Sequence, residues 1–275
     1  MTTKSPDPSD IGSIFGSSEV AEQWQSNKAG REKVNAAANE MLLDVATLRP
    51  GDRVLDVAAG TGDQTLMAAR RVGPTGYVLA TDISASMLKL ASDAAREAGL
   101  MNVEIRVMDA ENIDLDENSF DSVICRQGLM LFPNPVKALI GMRQVVRAGG
   151  KVAVLVFSAA EKNPYEAVAR TVAHRHGRRM PPLFSLGEQR LLENTFRSSG
   201  FSDFAVHVVA THRRFLSIRE AIENLKDDFH GRSIIELPEA ERQQAWEEVE
   251  QHLRRFEVPN GCELNGELLI GVGTK

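Results

Sequence analysis

VLDVAAGTGD, residues 54–63, runs from a short apolar stretch straight into a glycine-rich turn and on into a helical pattern. Gly60 and Gly62 let the backbone of such a strand-to-helix turn approach a ligand closely. A glycine-rich turn does not by itself name the ligand. Asp56 narrows the choice, because a carboxylate at the strand end would repel a dinucleotide pyrophosphate but suits an ammonium group with a nearby sulfonium. Thr65 agrees, standing where the dinucleotide fingerprint wants glycine or alanine. The competing reading of Asp56 is a carboxylate that only satisfies the amides of its own turn.

Working outward, apolar positions Val34, Ala38, Met41, Leu42, Val45 and Leu48 recur at helical spacing before Pro50 and Gly51 stop the pattern. Beyond the turn, strand-like YVLATD from Tyr77, VEIRVMD from Val103, FDSVIC from Phe120 and KVAVLVF from Lys151 alternate with helical stretches. The alternation predicts an α/β fold of Rossmann-like type, a seven-stranded, mostly parallel sheet with helices on both faces. The sixth strand is expected over Ala205 to Phe215 and the seventh at ELLIGVG from Glu267. Residues 159–186 break the rhythm and read as an insertion. Two further helices precede the last strand, one opened by a capping box from Ser217 to Glu220, the other carrying Trp246, Val249, Leu253 and Phe256 on one face. That stripe is a packing surface or part of a homodimer contact. The expected division is an N-terminal arm or lid (1–30), a ligand-binding core (31–158), a cap insertion (159–186), a core continuation (187–215), a helical cap insertion (216–262) and the last core strand (263–275).

Strand ends carry the remaining chemistry, since open α/β sheets bind ligands in the crevice outside them. Asp82 and Ile83 end the second strand, where an acceptor-only carboxylate can take hydrogen bonds from both hydroxyls of a ribose. Capping is the alternative for Asp82, although Ser84 is better placed for it. Met87 opens the next helix and suits either an adenine face or the core. Asp109 and Ala110 close the third strand, with an acceptor and a backbone donor for an adenine edge. Arg126 and Gln127 end the fourth, beside the amino-acid end of such a ligand.

The order VLDVAAGTGD, ATDIS, VMDAENI, FDSVICRQGLMLFPNP and RAGGKVAV resembles the class I S-adenosylmethionine-dependent methyltransferases, especially the ubiquinone/menaquinone-biosynthesis C-methyltransferase-like group. The resemblance covers roughly residues 31–158. It implies that S-adenosyl-L-methionine is bound, with Asp56, Gly60, Thr61 and Gly62 cradling the methionine part, Asp82 and Ile83 on the ribose, and Met87 on adenine. It further implies that Asp109 and Ala110 read the adenine edge and that Arg126 and Gln127 lie beside the methionine tail. Ala58 departs from the group, which has glycine there. The group's quinone-type substrate is not carried over, because no residue matched in the caps specifies it.

Composition sets the outer limits. With 275 residues, 43% hydrophobic, the chain can bury a full core without a metal or disulfide staple. Two cysteines, Cys125 and Cys262, are too few for a disulfide framework and point to a cytoplasmic protein. No signal peptide or membrane span is read, and a net charge of −6 without a basic stripe argues against nucleic acid as a partner. Methyl transfer at carbon or oxygen of a small, partly apolar acceptor is the expected reaction, with alignment as the protein's main contribution. His174, His176 and Tyr165 are the candidate general bases, and Trp24, Phe132 and Phe184 the candidate acceptor-pocket residues. The other histidines, His230 among them, read as structure or surface. No metal site is expected. An NAD-linked oxidoreductase or a catalytically silent cofactor-binding protein remain as alternatives.

Overall fold

The computed structural model describes residues 15–26, 28–178 and 180–275. Five strands are parallel neighbours: β1 (Arg53–Val57), β2 (Tyr77–Asp82), β3 (Val103–Val107), β4 (Phe120–Arg126) and β5 (Val146–Phe157). After these, β6 (Asp203–Phe215) and β8 (Gly261–Thr274) complete the main path in the order β3-β2-β1-β4-β5-β8-β6, with β8 antiparallel to both neighbours. Order reverses between β1 and β4, so the crevice at the carboxyl ends of those two strands is the place where this topology binds ligands. An eighth strand, β7 (Glu257–Val258), pairs with the start of β8 through a tight turn. It is two residues long and carries no alternation that a sequence pattern can show.

Helices α2 (Lys28–Val45), α3 (Asp63–Val72), α4 (Ala85–Glu97), α5 (Pro135–Val145) and α7 (Gln189–Ser198) surround the sheet. Val54, Leu55, Ile124 and Val154 are buried in the strands, and Leu42, Leu139 and Phe196 meet them from the helices. Local caps hold the ends: Ser84 accepts from the Met87 amide and Asn134 from the Lys137 amide, each worth about 1 kcal/mol. Helix α2 carries a second stripe beside its apolar one. Arg31, Asn35 and Asn39 recur every four residues and are buried, which puts three polar side chains on one face.

A separate cap core forms where α6 (Pro164–Arg175), α8 (Ile218–Asp227), α9 (Arg232–Ile235) and α10 (Glu239–Leu253) pack together on the far ends of β6 and β8. Ala245, Val249 and Leu253 of α10 are fully buried in it, with Trp246 and Phe256 packed alongside. The stripe considered for a dimer contact therefore faces inward. Cys125 and Cys262 are both buried free thiols. The first half of the expected lid, residues 1–14, lies outside the described residues, but α1 (Ser18–Ser26) packs through Val20 and Ala21 on Met87 of α4. Among the described residues no helix is long and apolar enough to cross a membrane.

Candidate active site

The turn after β1 is built from residues that avoid their ordinary conformations. Ala58, Gly60 and Gly62 all have positive φ, at 56°, 55° and 84°. A side chain on Gly62 would sit 2.8 Å from Ala91 Cβ, so close packing of turn on α4 requires glycine there. Ala58 adopts the left-handed region at a cost of about 1 kcal/mol. Gln127, after β4, is the other residue on the crevice forced to positive φ, at 55°. Such strained positions concentrate where a ligand dictates the backbone.

Asp56 is fully buried under this turn. Its Oδ2 accepts from Thr65 Oγ1 at 2.6 Å, while Oδ1 has no hydrogen-bond partner among the described residues. Burial pushes its carboxyl up to about 7, against the pull of the Thr65 hydroxyl and of Arg126. Asp82 accepts from the Gly60 amide at 2.9 Å and the Ser84 amide at 2.8 Å, which ties the turn to the end of β2. Burial raises its pKa as well. Arg126 Nε donates to Asn39 at 2.8 Å, and among the described residues Arg126 Nη2 and the Gln127 side-chain Nε2 have no partner.

These groups converge on a cleft of about 1040 Å³, its solvent-filled mouth included. Asp56, Gly60, Asp82, Ile83, Met87, Asp109, Ala110, Arg126 and Gln127 all line it, with Trp24 and Phe132. Thr61 and Gly62 do not, since they face the packing behind the turn. Asp109 spends both oxygens locally, on the Glu111 amide at 2.9 Å and the Asn112 side chain at 2.5 Å. Gln64, Ala59 and Met108 line the cleft too and were not foreseen. The carboxylate with a free oxygen, the two others nearby and the unpartnered donors on Arg126 and Gln127 fit a zwitterionic amino-acid tail bearing a positive charge.

A second cavity of about 530 Å³, its open mouth included, adjoins the first and shares Phe15, Trp24, Gln127 and Leu131 with it. Phe15, Trp24 and Phe229 form an aromatic roof, with ring centroids 5.1 to 6.2 Å apart. Its polar lining comes from Arg31, Asn35, Arg170, Arg213, Asp228 and His230. Arg213 is paired with Glu166 at 2.8 Å. His230 is buried, its Nε2 3.9 Å from Asp228 Oδ1 and its Nδ1 without a partner among the described residues. Burial lowers its pKa from the ordinary 6.5, against the pull of Asp228 and Glu166 and with the help of Arg170 and Arg213, which favours the neutral ring at pH 7.

The three histidine and tyrosine candidates lie elsewhere. Tyr165 is buried in the cap core, stacked on Phe215 and donating to Asn224 at 2.6 Å; burial raises its pKa. His174 is exposed at the end of α6. His176 faces Glu248 at 3.4 Å and Glu241 at 3.7 Å on α10, where it joins two cap helices. Phe184 packs on Phe157 in the main core and lines neither cavity. His230 was set aside on sequence because a histidine at a helix end has no local signature of a site. Arg31 and Asn35 did leave one, the polar stripe of α2.

Sheet order, switch-point cleft and the carboxylates beneath it together define a class I S-adenosylmethionine-dependent methyltransferase. The model of the ubiE/COQ5 methyltransferase family matches residues 33–183, and the chain belongs to that family. It is 35% identical over 178 residues to the ubiquinone/menaquinone biosynthesis C-methyltransferase UbiE of Bordetella avium, which covers 58% of this chain and 69% of that one. Identity rises to 44% with the protein of the same name from Cupriavidus pinatubonensis, but over 117 residues, 42% of this chain and 48% of the relative. The YcgJ protein of Bacillus subtilis has a similar fold, with a TM-score of 0.62 at 17% identity, covering 87% of this chain and 98% of that one. Family membership disfavours the oxidoreductase alternative.

Proposed function

We propose that the chain transfers a methyl group to a carbon or oxygen of a small, partly apolar ring acceptor bound in the second cavity. The observation that carries this reading is that the two cavities meet, across Gln127 and Leu131, under one aromatic roof. S-adenosylmethionine, when bound, supplies an electrophilic methyl group on a sulfonium whose leaving group is neutral. Asp56 would receive the ammonium end, Asp82 and Ile83 the ribose, Met87 an adenine face and Ala110 the adenine edge. Arg126 and Arg31, both with unpartnered nitrogens, would hold the carboxylate. The work left to the protein is alignment and exclusion of water.

Both curated relatives bear the name of a C-methyltransferase of ubiquinone/menaquinone biosynthesis. A ring carbon activated by a hydroxyl suits the walls formed by Trp24, Phe157 and Phe229. As such a carbon or oxygen bonds to the methyl group it releases a proton. His230 takes the role of proton acceptor in our reading, because it is neutral, lines the acceptor cavity and keeps Nδ1 free. Incubation with methyl-labelled cofactor and a panel of phenols, quinols, amines and thiols, followed by mass detection, tests the reading. We expect a labelled phenol or quinol. Tight cofactor binding with no labelled product across the panel would instead favour a silent binding protein.

A further inference from the structure

Arg170 of α6 is 7% exposed and lines the second cavity while taking no part in the cofactor cleft. Its Nη2 donates to the Pro181 carbonyl, and Nη1 has no hydrogen-bond partner among the described residues. Among those residues no carboxylate lies within ion-pair distance of it. Asp228, which lines the cavity, lies beside His230 at 3.9 Å, and Glu166 is paired with Arg213 at 2.8 Å. Burial alone pushes the Arg170 guanidinium down to about 10, so it still carries its charge at neutral pH. A buried cation without a counter-ion costs several kcal/mol. Such an arrangement persists where a ligand completes it, and a guanidinium fork matches a planar or tetrahedral oxyanion.

We propose that Arg170 is the docking point for an oxyanion, a carboxylate or a phosphate, carried by the methyl acceptor. The proposal rests on the reading of the second cavity as the acceptor site. It narrows the acceptor from any small ring compound to a ring acid, since a neutral quinol would leave the Arg170 charge unanswered. Arg213, already neutralised by Glu166, is not a competing anchor.

The test titrates benzoate, phenyl phosphate and benzamide into the protein loaded with S-adenosylhomocysteine, by calorimetry. One of the two oxyanions should bind about tenfold more tightly than neutral benzamide, and the better one identifies the group. In Arg170→Gln the preference should fall below about twofold, and Arg170→Lys should retain part of it. Benzamide binding as well as both oxyanions, no detectable binding of either oxyanion, or a preference that survives in Arg170→Gln overturns the proposal. Should Arg170→Gln fail to fold, the wild-type contrast decides alone. Failure of S-adenosylhomocysteine to bind would strike at the methyltransferase reading instead, and the same three probes can then be titrated into the ligand-free protein.

Discussion

Asp56 and Arg170 are buried ionisable groups of opposite sign, each short of a partner, in two regions built by different means. Asp56 sits under the five-residue turn 58–62, and the one side-chain hydrogen-bond partner of its carboxyl among the described residues, Thr65, is nine positions away. Arg170 lies in a cavity assembled from α1, α2, α6, β6 and the turn after α8. The sheet region answers a cation with a carboxylate held in place by local geometry. The cap region leaves a cation whose answer must come from outside. Donor and acceptor are therefore specified separately, and variants should separate them too.

The largest separation is expected from Asp56→Ala. Loss of charge-assisted contacts worth roughly 1.5–3 kcal/mol each should weaken S-adenosylhomocysteine binding by about a thousandfold. Circular dichroism should be unchanged, because the variant removes a buried carboxyl at the cost of one side-chain hydrogen bond, the one from the Thr65 hydroxyl. His230→Gln should do the converse, lowering kcat about a hundredfold while cofactor affinity stays within about twofold. Because the His230 pKa is lowered from its ordinary 6.5, its neutral, proton-accepting form persists below that pH, and wild-type activity should do the same. Equal losses of cofactor binding in both variants would erase the distinction between the regions.

Smaller effects sharpen it. Tyr165→Phe removes the bond to Asn224 from the cap core and should cost about 1 kcal/mol in denaturant unfolding. Turnover should stay within about threefold; a loss near a hundredfold would restore Tyr165 as a base. Ala58→Gly relieves a left-handed residue at φ 56°. The gain is offset by the greater freedom of glycine in the unfolded chain, so stability should change by less than about 1 kcal/mol.

How much was legible follows from the same contrast. Asp56, Gly60, Asp82 and Met87 could be read because strand, turn and helix follow one another within about thirty residues and each sits at a recognisable position. Thr65 was used only to argue against a dinucleotide, yet its hydroxyl holds Asp56. The parallel strands were readable from apolar runs, whereas the first part of β8, GCELNG, lacks such a run and was missed; it pairs with β6 on one side and with the two-residue β7 on the other. In the cap, His174 and His176 stood as candidate bases on residue type, and the structure places them at the exposed end of α6 and in contacts with α10. His230 and Arg170 are sixty residues apart and share a cavity only through tertiary packing. What makes them interesting, burial with one nitrogen left unpartnered among the described residues, is a property that no local pattern carries.

The carboxyl of Asp56 gives the most direct measurement. With its pKa raised from 3.8 to about 7 in the ligand-free protein, the folded state favours the protonated form. That contribution to stability is complete below pH 3.8 and is lost as pH rises through about 7. An ammonium group brought against Asp56 reverses the preference and expels the proton. Calorimetry of S-adenosylhomocysteine binding at pH 7, in buffers of different ionisation enthalpy, should report release of about half a proton, with affinity rising toward pH 8. Binding with no proton released, or with equal affinity at pH 6 and pH 8, would contradict the assignment of Asp56 as the group that selects the donor.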